Sequence, residues 1–113
     1  MTIRMYRGDT RVIVGTAKQS GTAMNITGGT IVMTARYGIG ETAVFTHDNA
    51  GNGGIVLTSP TSGIFTITIA PASTSSLPDE EMQLQYDIQY TTSGSAVYTL
   101  ARGTLLVTPD ITT

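Results

Sequence analysis

Apolar and polar residues alternate strictly from Met82 to Tyr90, with Met82, Leu84, Tyr86, Ile88 and Tyr90 on one side and Gln83, Gln85, Asp87 and Gln89 on the other. Successive side chains of a β-strand point to opposite faces, so this period of two predicts a strand with one dry face and one wet face. A helix would scatter the same five apolar residues around its circumference. Residues 30–37 repeat the pattern, with Ile31, Met33, Ala35 and Tyr37 expected inward against Val32, Thr34 and Arg36. In 64–70, Phe65, Ile67 and Ile69 oppose Thr66 and Thr68, and Pro71 ends the run. Shorter strands are predicted over 10–17, carrying Val12, Ile13 and Val14, and over 43–47 and 55–58. A hairpin partner over 96–101 and a last strand through Leu105, Leu106 and Val107 follow, with Gly103 between them expected as a bulge or bend.

Turn chemistry separates these runs. Gln19-Ser20-Gly21-Thr22, Ile26-Thr27-Gly28-Gly29, Gly38-Ile39-Gly40, Pro60-Thr61-Ser62-Gly63 and Thr92-Ser93-Gly94-Ser95 are all rich in residues that tolerate tight turns. Residues 48–54, Asp-Asn-Ala-Gly-Asn-Gly-Gly, form a loop between two short strands. Only residues 72–81 could hold a helical turn, with Pro78-Asp79-Glu80-Glu81 resembling a first turn. About seven short strands at this spacing predict an all-β protein, an antiparallel β-sandwich of Greek-key type, with a small barrel as the alternative.

Composition narrows the function classes. A chain of 113 residues fits one domain. Without cysteine it has neither disulfides nor thiolate metal sites. The first residues show no apolar signal core and no run is long enough for a membrane helix, so location in the cytosol of its host is expected, with no membrane partner. Six basic residues and a net charge of −2 give no electrostatic reason to bind nucleic acid. Charged residues make up 12% of the chain against a usual ~25%, whereas 21 residues are Thr. Threonine suits a pleated, half-exposed surface, and small neutral surfaces desolvate cheaply when a domain packs among neighbours.

Catalytic constellations are weak, and neither enzyme activity nor a cofactor is expected. His47 is the only histidine, which rules out a multi-histidine metal site and reads as an ordinary residue at a loop edge. His47, Asp48 and a serine could compose a triad only if the fold assembled them, and no serine lies in a Gly-x-Ser-x-Gly elbow. Asp79, Glu80 and Glu81 read as a solvated turn. Asp48, Asn49 and Asn52 resemble a calcium loop but lack the bidentate Glu at the required spacing. Arg7-Gly8-Asp9 reads as a tight turn with Asp9 bonding nearby backbone amides, and Asn25-Ile26-Thr27 spells a glycosylation sequon. Tyr37, Tyr86, Tyr90 and Tyr98 could form a sugar platform, but the first three are expected in the core.

A resemblance goes further. Tyr86-Asp87-Ile88-Gln89, Val97-Tyr98-Thr99-Leu100, then Gly103, Leu105, Val107, Asp110 and Thr112 resemble the ending of small immunoglobulin-like virion proteins of tailed bacteriophages, including the N-terminal domain of baseplate upper proteins. Tyr6-Arg7-Gly8-Asp9-Thr10 and Asn25-Ile26-Thr27-Gly28 fit the same pattern, so the resemblance spans nearly the whole chain. It implies an immunoglobulin-like sandwich acting as a structural component at the tail, baseplate or head-to-tail junction. Its partners would be other virion proteins and, in the assembled particle, copies of itself. A capsid decoration protein and a carbohydrate- or receptor-binding module are the alternatives. Residues 1–6 and 109–113 are expected as short extended arms, because Pro109 cannot donate to a sheet ladder. Ile3, Met5, Tyr6 and Ile111 on those arms are the interface candidates.

Overall fold

The computed structural model describes residues 2–38, 40–51, 53–75, 77 and 80–109. Its strands are β1 (Thr2–Tyr6), β2 (Arg11–Thr16), β3 (Lys18–Gln19), β4 (Thr22–Ala23), β5 (Thr30–Arg36), β6 (Ala43–Asp48), β7 (Ile55–Ser59), β8 (Ile64–Ile69), β9 (Met82–Thr91) and β10 (Val97–Thr108). A 3-10 turn at Pro60–Ser62 and a single helical turn, α1 (Pro71–Thr74), complete the regular structure. The protein is therefore all-β, with five strands in the order β1-β10-β9-β5-β6, three in the order β2-β8-β7, and a β3-β4 ribbon.

The alternation of β9 is realised as read. Leu84, Tyr86, Ile88 and Tyr90 are buried, and Gln83, Gln85 and Gln89 are exposed. Registers across the larger sheet then set rows of inward side chains. Ile3, Leu105 and Leu84 form one row, and Gly103, Tyr86, Ala35 and Phe45 form another. In the second row the bulky Tyr86 is flanked by two small neighbours, Gly103 and Ala35, which leaves room for its ring in the core. Phe65, Ile67 and Ile69 of β8 and Ile55 of β7 supply the opposing side of the same apolar cluster.

Four expectations change. Residues 2–6 are not an arm but a strand, paired in parallel with β10, because Ile3 and Met5 alternate with Thr2, Arg4 and Tyr6 and bury two side chains worth about 1.5–3 kcal/mol each. The bulge lies at Leu100, between the Thr99–Gln89 and Ala101–Ile88 pairs, and not at Gly103, which pairs in register with Tyr86. The phase of the sequence requires it: Tyr98 points inward at an even position, Leu105 and Val107 at odd ones, and one extra residue reconciles them. Tyr37 is exposed, since pairing with β6 shifts at Ala35/Arg36 and the strand ends before it. His47 is a buried strand residue rather than a loop-edge one.

Of the tail expected as an arm, residues 110–113, with the candidate Ile111, lie outside the described residues, as do Ile39, Asn52, Pro78 and Asp79.

Candidate interaction surface

Two outward faces remain once the core is filled. The larger sheet presents Thr34 and Arg36 of β5, Gln85, Asp87 and Gln89 of β9, and Thr99 and Arg102 of β10 around a shallow concavity of about 520 Å³. The Arg102 and Asp87 positions are directly opposed across β10 and β9, and Arg36 donates to the Glu41 carbonyl at 2.8 Å. This face is polar, and its charges are mixed in sign.

The smaller sheet differs. Val12 and Val14 of β2, Thr66 and Thr68 of β8 and Val56 of β7 share its outer face, and Val14, Thr66 and Val56 stand in one row. Val14 is 67% exposed and Val56 61%, so the row offers rigid β-branched side chains to a partner at little entropic cost. None of the five is charged. Single exposed valines are ordinary, but three on one uncharged sheet face form a patch. The sequence carries a signal for them that alternation hides: Val12-Ile13-Val14 and Ile55-Val56-Leu57 are unbroken apolar runs, and a strand with one buried face cannot bury three consecutive residues.

Of the interface candidates, Ile3 and Met5 are enclosed in their own domain's core, which corrects their reading as partner contacts, whereas Tyr6 is 57% exposed at the end of β1. Arg7-Gly8-Asp9 is a tight turn as expected, but the bond at Asp9 comes from its backbone: Asp9 N–H donates to the Tyr6 carbonyl, and Gly8 takes φ +80°. The turn is held from outside itself, because Arg7 Nη1 donates to the Leu77 carbonyl at 3.0 Å and Gly8 N–H to the fully buried Thr74 Oγ1 at 2.9 Å.

The other chemical candidates resolve as local structure. Asp48 Oδ1 accepts the Ala50 and Gly53 amides at 2.9 and 3.3 Å, and Asn49 reaches across to Ile31 N–H and the Gly29 carbonyl, pinning the loop to the start of β5. Among the described residues no three metal-ligating side chains cluster. Asn25 closes an Asx turn on Thr27 N–H, and Tyr90 is buried with its ring stacked on Tyr98 at 6.4 Å.

His47 and Ser73 do come together, Nε2 to Oγ at 3.1 Å, with the Phe45 ring 5.1 Å from the imidazole. Among the described residues no well-aligned hydrogen bond reaches the buried Nδ1, and Gly54, where a Cβ would fall 2.5 Å from that nitrogen, closes over it. Among the described residues no side chain stands behind the imidazole as the orienting third group of a nucleophile–base pair. Burial pushes the imidazole below its ordinary range, against the Gly53 backbone and the neighbouring Asp48 carboxylate, which act in the opposite sense. With the folded pKa lowered, the unfolded chain takes up the proton first as pH falls through about 6.5. His47 thus contributes no pH penalty above that value and a growing one below it. The melting temperature should fall between pH 7 and pH 5 by more in the native protein than in His47→Gln; equal falls would remove His47 as the cause.

No protein family model and no curated protein matches the chain.

Proposed function

We propose that the chain is an immunoglobulin-like sandwich and a non-enzymatic structural component of a tailed bacteriophage virion, docking other chains at the tail, baseplate or head-to-tail junction. The strand order supports the fold reading. The first strand runs parallel to the last at one edge of the β1-β10-β9-β5-β6 sheet, the β2-β8-β7 sheet contributes to the same core, and the chain crosses between sheets through α1 from β8 to β9. Such an arrangement suits a two-layer Greek-key architecture, in which loops gather at the two ends.

The observation that carries the functional reading is the uncharged outer face of Val12, Val14, Val56, Thr66 and Thr68. A surface without charges costs little to dehydrate, which is what a domain fixed among neighbours in a particle needs. The resemblance of residues 86–112 to phage immunoglobulin-like proteins supplies the particle. Capsid decoration is the alternative, separated from a tail site by copy number.

Mass spectrometry of purified virions is the test. The expected result is the intact chain at a few to a few tens of copies per particle; hundreds of copies would move it to the capsid, and its absence from particles would end the virion reading.

A further inference from the structure

The smaller sheet has an open edge at β2, and its geometry can be worked out residue by residue. Strand β2 pairs with β8 antiparallel in the register Ile13–Ile67 and Gly15–Phe65. Just beyond it, Ala17 N–H donates to the Gly63 carbonyl, extending the same register, so odd-numbered residues turn their backbone groups toward β8. On the other side of β8, Thr68 N–H donates to Gly54 and not to β2. Backbone direction alternates along an antiparallel strand, so Val12, Val14 and Thr16 aim their N–H and C=O groups away from the sheet. Among the described residues no strand pairs with them there, because the first strand of the chain has joined the other sheet beside β10.

Edge strands in natural proteins are usually blunted by a charge, a proline or a bulge that faces the open side. In β2 the three residues that present backbone to the open side are Val12, Val14 and Thr16, and its pairing with β8 runs from Arg11 to Thr16 without a register shift. We infer that this edge pairs with β2 of a second copy, antiparallel about a two-fold axis at Val14, joining two three-stranded sheets into one of six strands.

The occupant follows from self-complementarity. With Val14 on the axis, Val12 of each copy meets Thr16 of the other, and all three outward-aimed residues are satisfied at once by up to about six backbone hydrogen bonds. The exposed valines of both copies then lie side by side on one face and continue its uncharged row. Arg11, the only charge in β2, falls opposite Ala17 and not opposite its own counterpart, while Lys18 falls opposite Thr10, beside Asp9. Like charges are thus kept off directly opposed positions. One short edge buries less than the ~800 Å² per partner of a standard stable interface. The pairing is therefore a concentration-dependent association, a monomer at about 1 μM and substantially dimeric toward about 1 mM, strengthened where a particle holds copies close together.

The inference does not depend on the virion reading, and its failure would leave the particle test untouched. Sedimentation of the native chain over that concentration range should show monomer passing to dimer. Val14→Lys and Val14→Glu should each stay monomeric, because the axis sets each new charge against itself, and an equimolar mixture of the two should associate again. Val56→Lys, on the same face but at the far edge, should dimerise like the native chain. Amide exchange should slow at high concentration for Val12, Val14 and Thr16. A native chain that stays monomeric throughout, or dimerisation untouched by Val14→Lys, would overturn the inference. So would equal loss in Val56→Lys, which would assign association to the sheet face. If the isolated chain is monomeric yet Val14→Lys alone blocks incorporation into particles, a different chain occupies the edge and the second-copy assignment fails.

Discussion

Ile88→Asp is expected to leave the chain unfolded at 25 °C, whereas Gln89→Asp, one residue away on the same strand, should move the melting temperature by no more than a few degrees. Ile88 lies in the inward row between Ala101 and Met33, with His47 beyond, and is only 3% exposed. A carboxylate there would lose its hydration with no cation facing it from that row. Its neutral form would still lack adequate hydrogen-bond partners. The penalty of several kcal/mol, added to the loss of the apolar side chain, is comparable to the whole stability of a domain this size, about 5–15 kcal/mol. Gln89 points the other way, into water beside Val32 and Thr99, where a charge stays hydrated. Circular dichroism and urea titration of the two variants check the face assignment; equal effects would refute it.

Gly63→Ala should be strongly destabilising, costing on the order of 3 kcal/mol. Gly63 closes the 3-10 turn in the left-handed region at φ +75°, where an L side chain is already strained. A Cβ there would fall 2.6 Å from the Met24 carbonyl oxygen and 2.8 Å from that of Ala17. Both are backbone atoms of one bonded segment: Ala17 N–H donates to Gly63, and the Ala17 carbonyl accepts from Met24 N–H. A flexible side chain could swing away; backbone pinned by these bonds shifts only at their expense. By contrast Gly21→Ala shares the positive φ, +80°, but meets nothing within 4 Å, so it should cost only the conformational strain, about 1 kcal/mol. A melting comparison of the two separates strain from collision, and similar losses would show that the contact at Gly63 relaxes.

Strand identity was legible wherever one face is dry and the other wet. In β9, β5 and β8 the period of two named the buried side chains, and the structure buries Leu84, Tyr86, Ile88, Tyr90, Ile31, Met33, Ala35, Phe65, Ile67 and Ile69. That information is local, because burying alternate residues of one strand requires nothing of its partners beyond their presence. It failed at Tyr37, one step past the last paired residue, where the periodic pattern continues but the sheet does not. At His47 it failed for the opposite reason: an imidazole looks polar in a list of residues, yet its place in the alternation of β6 sends it inward, where Ser73 of α1 meets one nitrogen and Gly54 covers the other.

The candidate surface was less legible than the core. The unbroken runs at Val12-Ile13-Val14 and Ile55-Val56-Leu57 said that some apolar side chains must face outward, but not that those of two strands would line up in one row across β8. Alternation along each strand therefore settles an all-β chain with defined inner faces, since the hydrophobic effect acts on each side chain in place. Which strands became neighbours is a matter of long-range pairing, in which chain closure and steric fit between distant segments compete. That competition drew residues 2–6 to β10, put the bulge at Leu100, and left β2 at an open edge of the smaller sheet.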